Sequence, residues 1–529
     1  MKRLISLVGL LLMGSALLAQ GPADALRIAQ LNYEGSARTL AMGNAFTALG
    51  GDIGALAINP ASSGVYRSNE LALSLGYSNA SMVSLSGDDM LNDSYSGRTG
   101  RVTLPSIGAI ATMDSGNQSG LFSISYGIAA NRIGNFNRVT AGTCRTAQAT
   151  LLGNIAAAAA GIDQSVLAFV VEDDKVTYNP YSDSNAPWSI IQAFDAYAIS
   201  PIDGTTDSYI GTTENIDDGG VITVGGPLDQ FYFNKCNGGI TEVAFNLGAN
   251  FSDRFYIGAN LDLHIVDYKQ TEFYSETPVN SAQFQDGVTY YATQFQLRTS
   301  GAGINLKLGA IYNPIPGLRL GATFTTPSLY SLTDVWNRAT KTEFDNSNEY
   351  YRESPDGAYE YNLITPLRWS VGAAYTGNRG LLSVDYESVN YGAARYDNSK
   401  PFDSTTFQTE NKQIRGGYTT SHLLRVGAEY WITNRIAGRL GYNLYTSPGK
   451  EVDADLNPLY TYPKTQFVSA GLGFQLNDDG DLALDIAYQR MLNQSDRFTV
   501  YDDYDTFVAP VYDGIHTADK VIVSLVFRF

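Results

Sequence analysis

Charged side chains that alternate with apolar ones are the residues of this chain best suited to chemistry. Three arginines occupy such positions in separate runs, namely Arg319, Arg368 and Arg425. Three carboxylates do the same, namely Asp385, Glu387 and Glu429. A guanidinium binds a carboxylate through charge-assisted hydrogen bonds. If the runs are neighbouring strands, these side chains are expected to form an ion-pair network.

Groups for catalysis are scattered along the sequence. The three histidines lie in separate segments, at His264, His422 and His516. His264 alternates with Asp262, which predicts a hydrogen-bonded structural side chain. No GxSxG, HExxH, Walker A or CxxC motif occurs. We therefore expect no enzyme activity, no cofactor and no metal site. A catalytic triad assembled across strands leaves no local motif, so that alternative stays open.

The N-terminal run MKRLISLVGLLLMGSALLAQ is typical of a secretory signal peptide. A positive pair and an apolar run at 4–18 precede a cleavage point after Ala19, so residues 1–19 are set apart from the fold. No other window has the roughly 18 apolar residues that a transmembrane helix needs. The formal net charge of -18 argues against nucleic acid as a partner, since phosphates demand clustered Lys and Arg.

The only two cysteines are Cys144 and Cys236. An even pair in an exported protein predicts a disulfide. The bridge would close a loop of about ninety residues and contribute about 4 kcal/mol in the loop-entropy model. Two unpaired buried thiols are the alternative.

Alternation of apolar and polar residues is the dominant pattern from Leu71 onward. In the last run, Val523, Leu525 and Phe527 share one face, while Ser524 lies on the other. The mean hydropathy of -0.13 suits strands of this kind. Fourteen strands are predicted, near 70–78, 101–113, 120–131, 240–251, 254–271, 290–312, 318–338, 357–376, 380–396, 413–432, 435–447, 461–476, 481–500 and 515–529.

The connections between these predicted strands alternate strictly in length. Short ones such as NPIPG, GNRG and NDDG contain tight-turn residues. Short turns at one end and long loops at the other are typical of an outer-membrane β-barrel. The sequence therefore predicts an all-β fold, a transmembrane antiparallel barrel of about 14 strands over residues 70–529. Its even strand count places both termini in the periplasm, and its terminal aromatic residue suits recognition by the barrel-assembly machinery.

Residues 20–69 precede the first strand and are predicted to form a small helical plug on the periplasmic side. Ser36 is expected to cap a helix over 36–49, and Asp52 a shorter one that ends near Ala57. A barrel of this size has a lumen too wide for its own side chains to fill. Small residues would let the backbone of such a plug approach the wall.

The plug run SARTLAMGNAFTALGGDIGALAINPAS (36–62) ends in a sharp bend, because Pro60 forces Asn59 out of helical geometry. This run resembles the N-terminal hatch of the FadL-type long-chain fatty acid transporters of Gram-negative outer membranes, which carries an Asn-Pro-Ala signature. The hatch motif here comprises Gly43, Asn44, Asn59, Pro60 and Ala61. Further matches are LRLGATFTTPSLYSLTD (318–334), GRLGYNLYTSP (438–448) and DLALDIAYQR (481–490).

The resemblance implies a monomeric, plugged barrel that takes up hydrophobic molecules from outside and releases them sideways beside a kinked strand. A fatty acid gains roughly 0.8 kcal/mol per buried methylene, so an apolar route with one cationic anchor suits it. The candidate anchors are Arg319, Arg368 and Arg425, with the ion-pair network as the alternative. Gly127 is the candidate kink, and an ordinary strand glycine is the alternative.

The segment 132–239 departs from the resemblance. It contains two apolar stretches with helical potential, at 151–171 and 187–200. One interpretation is an extracellular platform that first captures a lipophilic ligand. The other is a small cap, stapled by the disulfide, with a core of its own.

Two other functions stay open. A FadL-like barrel can act as an anchor, shuttle or scaffold in secretion or surface-protein assembly, as the PorV-type component of type IX secretion does, and a surface or secretion protein is then its partner. A general porin is the third possibility, which a plugged lumen opposes. For transport, the expected partners are the lipid bilayer and a hydrophobic small-molecule ligand.

Overall fold

The computed structural model describes residues 21–86, 94–117, 119–399, 407–450 and 464–529. The predicted signal peptide, residues 1–19, lies outside these ranges. No helix among the described residues is long and apolar enough to cross a membrane.

Fourteen antiparallel strands of the described chain close into a barrel, because β1 pairs with β14 from Glu70↔Arg528 to Ser86↔Tyr512. This confirms the predicted fold class. The strands are β1 Glu70–Ser86, β2 Ser94–Asp114, β3 Leu121–Asn135 with Arg138–Ala147, β4 Leu228–Phe251, β5 Phe255–Pro278, β6 Val288–Ile315, β7 Leu318–Thr325 with Leu329–Phe344, β8 Glu349–Glu353 with Gly357–Ile364 and Arg368–Thr376, β9 Gly380–Asn390 with Arg395–Asn398, β10 Thr420–Trp431, β11 Ile436–Tyr445, β12 Thr465–Gln475, β13 Leu482–Thr499 and β14 Val511–Arg528.

The short connections all lie at one end of the barrel, called here the turn end, and the long ones at the other, the loop end. The C-terminal Phe529 lies at the turn end, where it exchanges backbone hydrogen bonds of 3.1 Å with Asn69. Apolar side chains cover the outer wall near this end, including Leu75 on β1 and Leu525 on β14, which are exposed. Exposed apolar residues in a continuous belt are what a lipid bilayer covers on a transmembrane barrel.

The lumen contains the N-terminal segment. It has two α-helices, α1 Pro22–Ala29 and α2 Ala37–Ala41, and two 3-10 helices, Ile53–Ala57 and Pro60–Val65. Ser36 and Asp52 cap their helices as predicted, since their side chains accept from Thr39 N and Gly54 N. The helix predicted over 36–49 is wrong beyond Ala41. It ends there because Gly43 and Asn44 both adopt left-handed backbone, with φ of 62° and 57°.

The start of the plug differs from the prediction that it lies on the periplasmic side. The Gly21 carbonyl accepts a hydrogen bond of 2.9 Å from Tyr396 Oη, in the outer segment of β9. Asn32 N donates to Ile133 O at 2.7 Å, and Glu34 N donates to Arg132 O at 2.9 Å. Residues 21–35 therefore lie inside the lumen, nearer the loop end than the hatch run 36–65.

The segment 148–227, called here the cap, covers the loop end. It contains the helices α3 Leu151–Ala159, α4 Gln164–Leu167, α5 Pro180–Asp183 and α6 Trp188–Asp195. Three short hairpins complete it, Val170–Glu172 with Lys175–Tyr178, Ile199–Pro201 with Tyr209–Gly211, and Glu214–Ile216 with Ile222–Val224. The predicted insertion 132–239 is shorter than expected, because β3 and β4 extend into both of its ends. One further helix, α7 Gln408–Gly417, replaces the start of the strand predicted at 413–432.

The cap has its own core, which continues into the barrel. Leu152, Leu167 and Ile191 are buried there together with inward tyrosines of the wall such as Tyr274 and Tyr512. The core agrees with the cap interpretation of the insertion, and capture of a lipophilic ligand by this segment stays a prediction.

The predicted Cys144–Cys236 disulfide is wrong. Both thiols lie in the described part of the chain, on the paired strands β3 and β4, but Cys144 stands opposite Gln230 and Cys236 opposite Arg138. Six positions along a strand correspond to about 20 Å, whereas a disulfide needs Cα atoms within about 7 Å. Cys236 Sγ instead lies 3.1 Å from Tyr268 Oη.

Candidate functional site

The hatch run 36–65 contacts the barrel wall through glycines. A Cβ atom at Gly309 would collide with Asn59 Oδ1, and one at Gly321 would collide with the Thr47 carbonyl. Other wall glycines in direct contact with the hatch include Gly248, Gly258, Gly427, Gly441 and Gly471. The absence of a side chain at these positions is what lets the hatch backbone touch the wall.

The Asn-Pro-Ala bend joins the hatch to itself and to the wall. Asn59 is fully buried, and its Oδ1 accepts from Ala61 N at 3.0 Å. Its Nδ2 donates to Thr47 O at 2.6 Å and to Ala310 O on β6 at 3.3 Å. Asn246 Nδ2 on β4 donates to Pro60 O at 3.0 Å. The predicted hatch residue Asn44, next to Gly43, donates to Tyr33 O at 2.9 Å.

The three arginines predicted as ligand anchors all bind groups of the protein. Arg368 and Arg425 share Glu387, at 3.0 Å and 2.5 Å, and Arg368 also donates to the Ala29 carbonyl of α1. Arg319 donates to the Leu49 carbonyl of the hatch at 2.7 Å. Arg368 and Arg425 thus form the ion-pair network that the sequence predicts as the alternative, whereas Arg319 contacts the hatch through a backbone carbonyl.

The other predicted carboxylates belong to the same kind of network. Asp385 accepts from Thr47 N of the hatch at 2.7 Å. Glu429 binds Arg38 of α2 at 2.9 Å and Arg439 of β11 at 2.6 Å. The inward charges of the wall therefore hold the plug in place.

A cavity of about 260 Å³ lies in the lumen beside the plug. Along β14, Ser524 contacts the hatch, Lys520 and His516 line the cavity, and Tyr512 belongs to the core of the cap. The cavity therefore lies between the hatch and the cap. Its apolar and aromatic lining includes Leu31, Phe136, Tyr268, Phe467 and Met491.

Lys520 is the cavity residue that sequence reasoning missed. Its Nζ lies 3.2 Å from Glu34 Oε1, and Arg132 Nε lies 3.5 Å from the other oxygen of that carboxylate. Two cations thus share one carboxylate, and the Lys520 side chain is buried. The sequence signal was available, since Lys520 alternates with the outward Val521 and Val523.

The other cations of the cavity lining are paired. Arg138 binds Asp496 at 2.9 Å, and Arg27 binds Asp24 at 2.6 Å. The buried ammonium of Lys520 has three N–H donors and one ion-pair contact, at 3.2 Å, so it keeps hydrogen-bonding capacity to spare.

The wall beside the cavity is interrupted between β2 and β3. These strands pair from Asp114↔Ser123 up to Ser106↔Asn131, and in the described chain their ladder stops there. Pro105 follows at once on β2, and a proline has no N–H to donate to a ladder. The β1–β2 register also shifts at this level. The ladder therefore ends where the sequence removes a donor.

The opposite edge of the interruption is a break in β3. Phe136 and Asn137 separate its two segments, and Asn137 Nδ2 donates to the carbonyls of Ser78 and Thr99 at 3.3 Å each. A window thus lies between 100–105 on β2 and 132–136 on β3. Phe136 and Asn137 also line the cavity, so the window and the cavity adjoin.

The kink predicted at Gly127 is wrong in position. Gly127 pairs with Ile110 on one side and Asn246 on the other, and neither register shifts there. The strand breaks instead at Phe136, where asparagine side chains replace ladder hydrogen bonds.

Fold and site together define a fourteen-stranded β-barrel with an N-terminal plug, a luminal cavity and a window in its wall. The chain is similar to the P. putida toluene transporter TodX, with a TM-score of 0.52, 14% identity, and 94% of this chain and 99% of that chain covered. A TodX deltaS2S3 mutant, a monoaromatic hydrocarbon channel, gives a TM-score of 0.52 at 13% identity with the same coverage. A FadL homologue of Pseudomonas aeruginosa gives 0.49 at 11% identity, over 94% of this chain and 99% of that chain.

The likeness to TodX confirms, at the level of the fold, the resemblance predicted from the hatch run. No protein-family model and no curated protein matches the sequence. At such low identity the likeness establishes the fold alone.

Proposed function

We propose that the protein transports hydrophobic molecules across the outer membrane, binds them in the luminal cavity, and releases them sideways through the window between β2 and β3. The observation that carries this proposal is the shared lining, since Phe136 and Asn137 border both spaces. A ligand in the cavity thus lies next to an interruption of the wall.

The direction of release follows from the surroundings of the cavity. The hatch lies on its turn-end side and the cap core on its loop-end side. Outside the window, Val102 and Leu104 of β2 are exposed and apolar. An apolar ligand gains roughly 25 cal/mol for each Å² removed from water, so direct passage into lipid is the favourable route.

The lining favours an amphiphile as the ligand, and a long-chain fatty acid is the simplest molecule of that class. Phe136, Phe467 and Met491 offer apolar contact for a chain. Lys520 offers an ammonium with unused donors for an acidic head group. We therefore place the cationic anchor at Lys520 and not at the arginines that the sequence suggested.

The test is a reversible closure of the window. The register that ends at Ser106↔Asn131 would, if continued, bring Thr103 opposite Gly134. The variant T103C/G134C is made in a background with Cys144 and Cys236 replaced by Ser. Oxidation should join the strands and abolish uptake of a radiolabelled long-chain fatty acid by cells that express the barrel, and reduction should restore it.

A matched control carries the cysteine pair at Thr112 and Ser125, which are already opposite each other in the ladder below the window and whose side-chain oxygens lie 2.9 Å apart. Its oxidation should leave uptake unchanged. Full uptake through barrels shown to be cross-linked at 103 and 134 would refute lateral release.

A second candidate function, an anchor or scaffold for a surface or secretion protein, is favoured by the charge of the cap. Residues 148–227 contain eleven acidic residues and one basic residue. Such a surface suits a cationic partner. Mild extraction followed by native mass spectrometry tests it: a stoichiometric protein partner lost on deletion of the cap would support the scaffold, and a bound lipid without a partner would support transport.

A further inference from the structure

The outer wall carries a second cavity, of about 280 Å³, on the far side of the sheet from the lumen. It lies toward the loop end of β5–β8. On β6 the outward residues Ile304, Leu306 and Leu308 are exposed and apolar, whereas the outward residues nearer the loop end include Arg298 and Gln296. The cavity thus lies beyond the apolar belt, where the outer wall becomes polar.

The register of the sheet explains why a cavity forms there. Ala292 of β6 stands between Ser275 of β5 and Lys341 of β7. Two residues further along β6, on the same face, Gln294 stands opposite Ala339 of β7. The small side chains of Ala292 and Ala339 form the floor, and larger neighbours rise around it. We call this space the outer-wall pocket.

The rim of the pocket combines aromatic rings with carboxamides. The rings belong to Phe273, Tyr290 and Tyr351. The carboxamides belong to Gln294, Gln296 and Asn337. The Tyr351 hydroxyl donates to Glu353 Oε1 at 2.5 Å, which fixes one ring at the edge. Within the described chain the side chains of Gln294 and Gln296 are not hydrogen-bonded to another residue, so their donors and acceptors face outward.

This lining disfavours two simpler ligands. An apolar molecule would remove the carboxamides from water without replacing their hydrogen bonds, which is unfavourable for each buried group. An anion would meet Lys341, whose ammonium already binds Glu343 at 2.6 Å and Glu349 at 2.9 Å. A neutral molecule with an apolar face and a hydroxylated edge satisfies rings and carboxamides together.

We propose that the outer-wall pocket binds a saccharide. A pyranose ring has an apolar C–H face, which packs on Tyr351 or Tyr290, and equatorial hydroxyls, which bond to Gln294 and Gln296. Gln296 lies six residues beyond Ala302, the last outward apolar residue of β6 before the polar stretch, or about 20 Å along the strand. This places the pocket at the height of sugar head groups above a bilayer surface, independently of what the lumen transports.

The experiment is a titration of the full-length barrel in detergent with two probes. One is lipopolysaccharide, and the other is the oligosaccharide released from it by mild acid, which carries no acyl chains. Y351A and the double variant Q294A/Q296A should each weaken binding of both probes at least tenfold. A339W, which fills the floor, should abolish it. The matched control is Y375A, an exposed outward tyrosine of β8 at the turn end.

The outcomes separate the sources of the sugar. Binding of both probes, weakened by the pocket variants but not by Y375A, supports a saccharide site that also accepts free oligosaccharide. Binding of lipopolysaccharide alone, with the same dependence on the pocket, supports a site for the membrane-borne sugar. Binding that the pocket variants leave unchanged, or no binding of either probe, overturns the proposal. The gel mobility of A339W shows whether this variant still assembles into a barrel. If it does not, the binding affinity of Y351A decides whether the pocket binds a saccharide.

Discussion

Asn59 of the hatch gives the sharpest test of how the plug is held. The substitution Asn59→Ala removes the acceptor for Ala61 N and the donor to Thr47 O, and both backbone groups stay buried. Each buried group left without a partner costs about 1–3 kcal/mol. A total of about 3 kcal/mol corresponds to a roughly hundredfold change in the equilibrium for local opening. The barrel ladders are untouched, so the loss should be confined to the hatch.

Hydrogen exchange measured by mass spectrometry on the purified barrel reads this loss directly. Peptides that cover 53–65 should exchange roughly a hundredfold faster in N59A, whereas peptides from β11 and β12 should not change. The matched control is Asn280→Ala, since Asn280 caps the exposed 3-10 helix Ser281–Gln283 through the same kind of bond, to Ala282 N at 3.2 Å. Unchanged exchange at 53–65 in N59A, or equal acceleration there in N280A, would refute this account of the hatch.

Three further predictions concern the wall, the cavity and the cap. G309V should prevent plug insertion, because the valine side chain would collide with Asn59. The proportion of barrels with a protease-resistant plug should therefore fall. The control variant G377V, in an open turn, should have no such effect. K520M should weaken binding of a long-chain fatty acid about tenfold or more, because it removes a hydrogen bond from a charged group. In the same fluorescence displacement assay, binding of a hydrocarbon of equal length should not change. Equal losses of affinity for both ligands would contradict an anchoring role for Lys520. In the cap, burial raises the pKa of Glu214 from 4.5 to about 7; the folded cap therefore holds the proton more tightly than the unfolded chain, its stability is greatest below about pH 4.5, and it falls as the pH rises to about 7. Proteolysis of the cap should accelerate over that window, and E214Q should remove the dependence.

The strands were predictable because their pattern is local. Alternation of apolar and polar residues gives all fourteen positions wherever the wall faces lipid on one side, as in Val521–Phe529 of β14. The same rule fails where β3 and β4 extend beyond the belt. In Leu228–Phe251, the first half reads LDQFYFNKCNGG, with aromatic and polar residues on both faces. The outer face there meets no lipid, so the sequence has no reason to alternate.

The site was less predictable because it depends on register. The two cysteines suggested a bond by number alone, yet the β3–β4 ladder holds them six positions apart. The arginines suggested a ligand, yet strand pairing places Arg368 and Arg425 on either side of Glu387. Pro105 was a usable signal, since a proline inside a predicted strand indicates an interrupted ladder. Gly127 was a weaker signal for a strand interruption, because glycine also occurs in regular strands.

If release is lateral, as proposed above, we expect the wall to open more easily than the plug. The hatch is fixed by backbone contact at glycines and by ion pairs such as Arg38–Glu429, in which the carboxylate is buried. At the window, no ladder hydrogen bonds between β2 and β3 have to be broken. Pro105 has no N–H to donate, and the Asn137 side chain donates to the carbonyls of Ser78 and Thr99. A ligand that leaves through the window therefore needs to move only side chains such as Phe136, whereas one that leaves past the hatch must break the Arg38–Glu429 pair and several hydrogen bonds between hatch and wall. Rates of release should accordingly respond to the size of the residue at Phe136 and be insensitive to the strength of the Arg38–Glu429 pair.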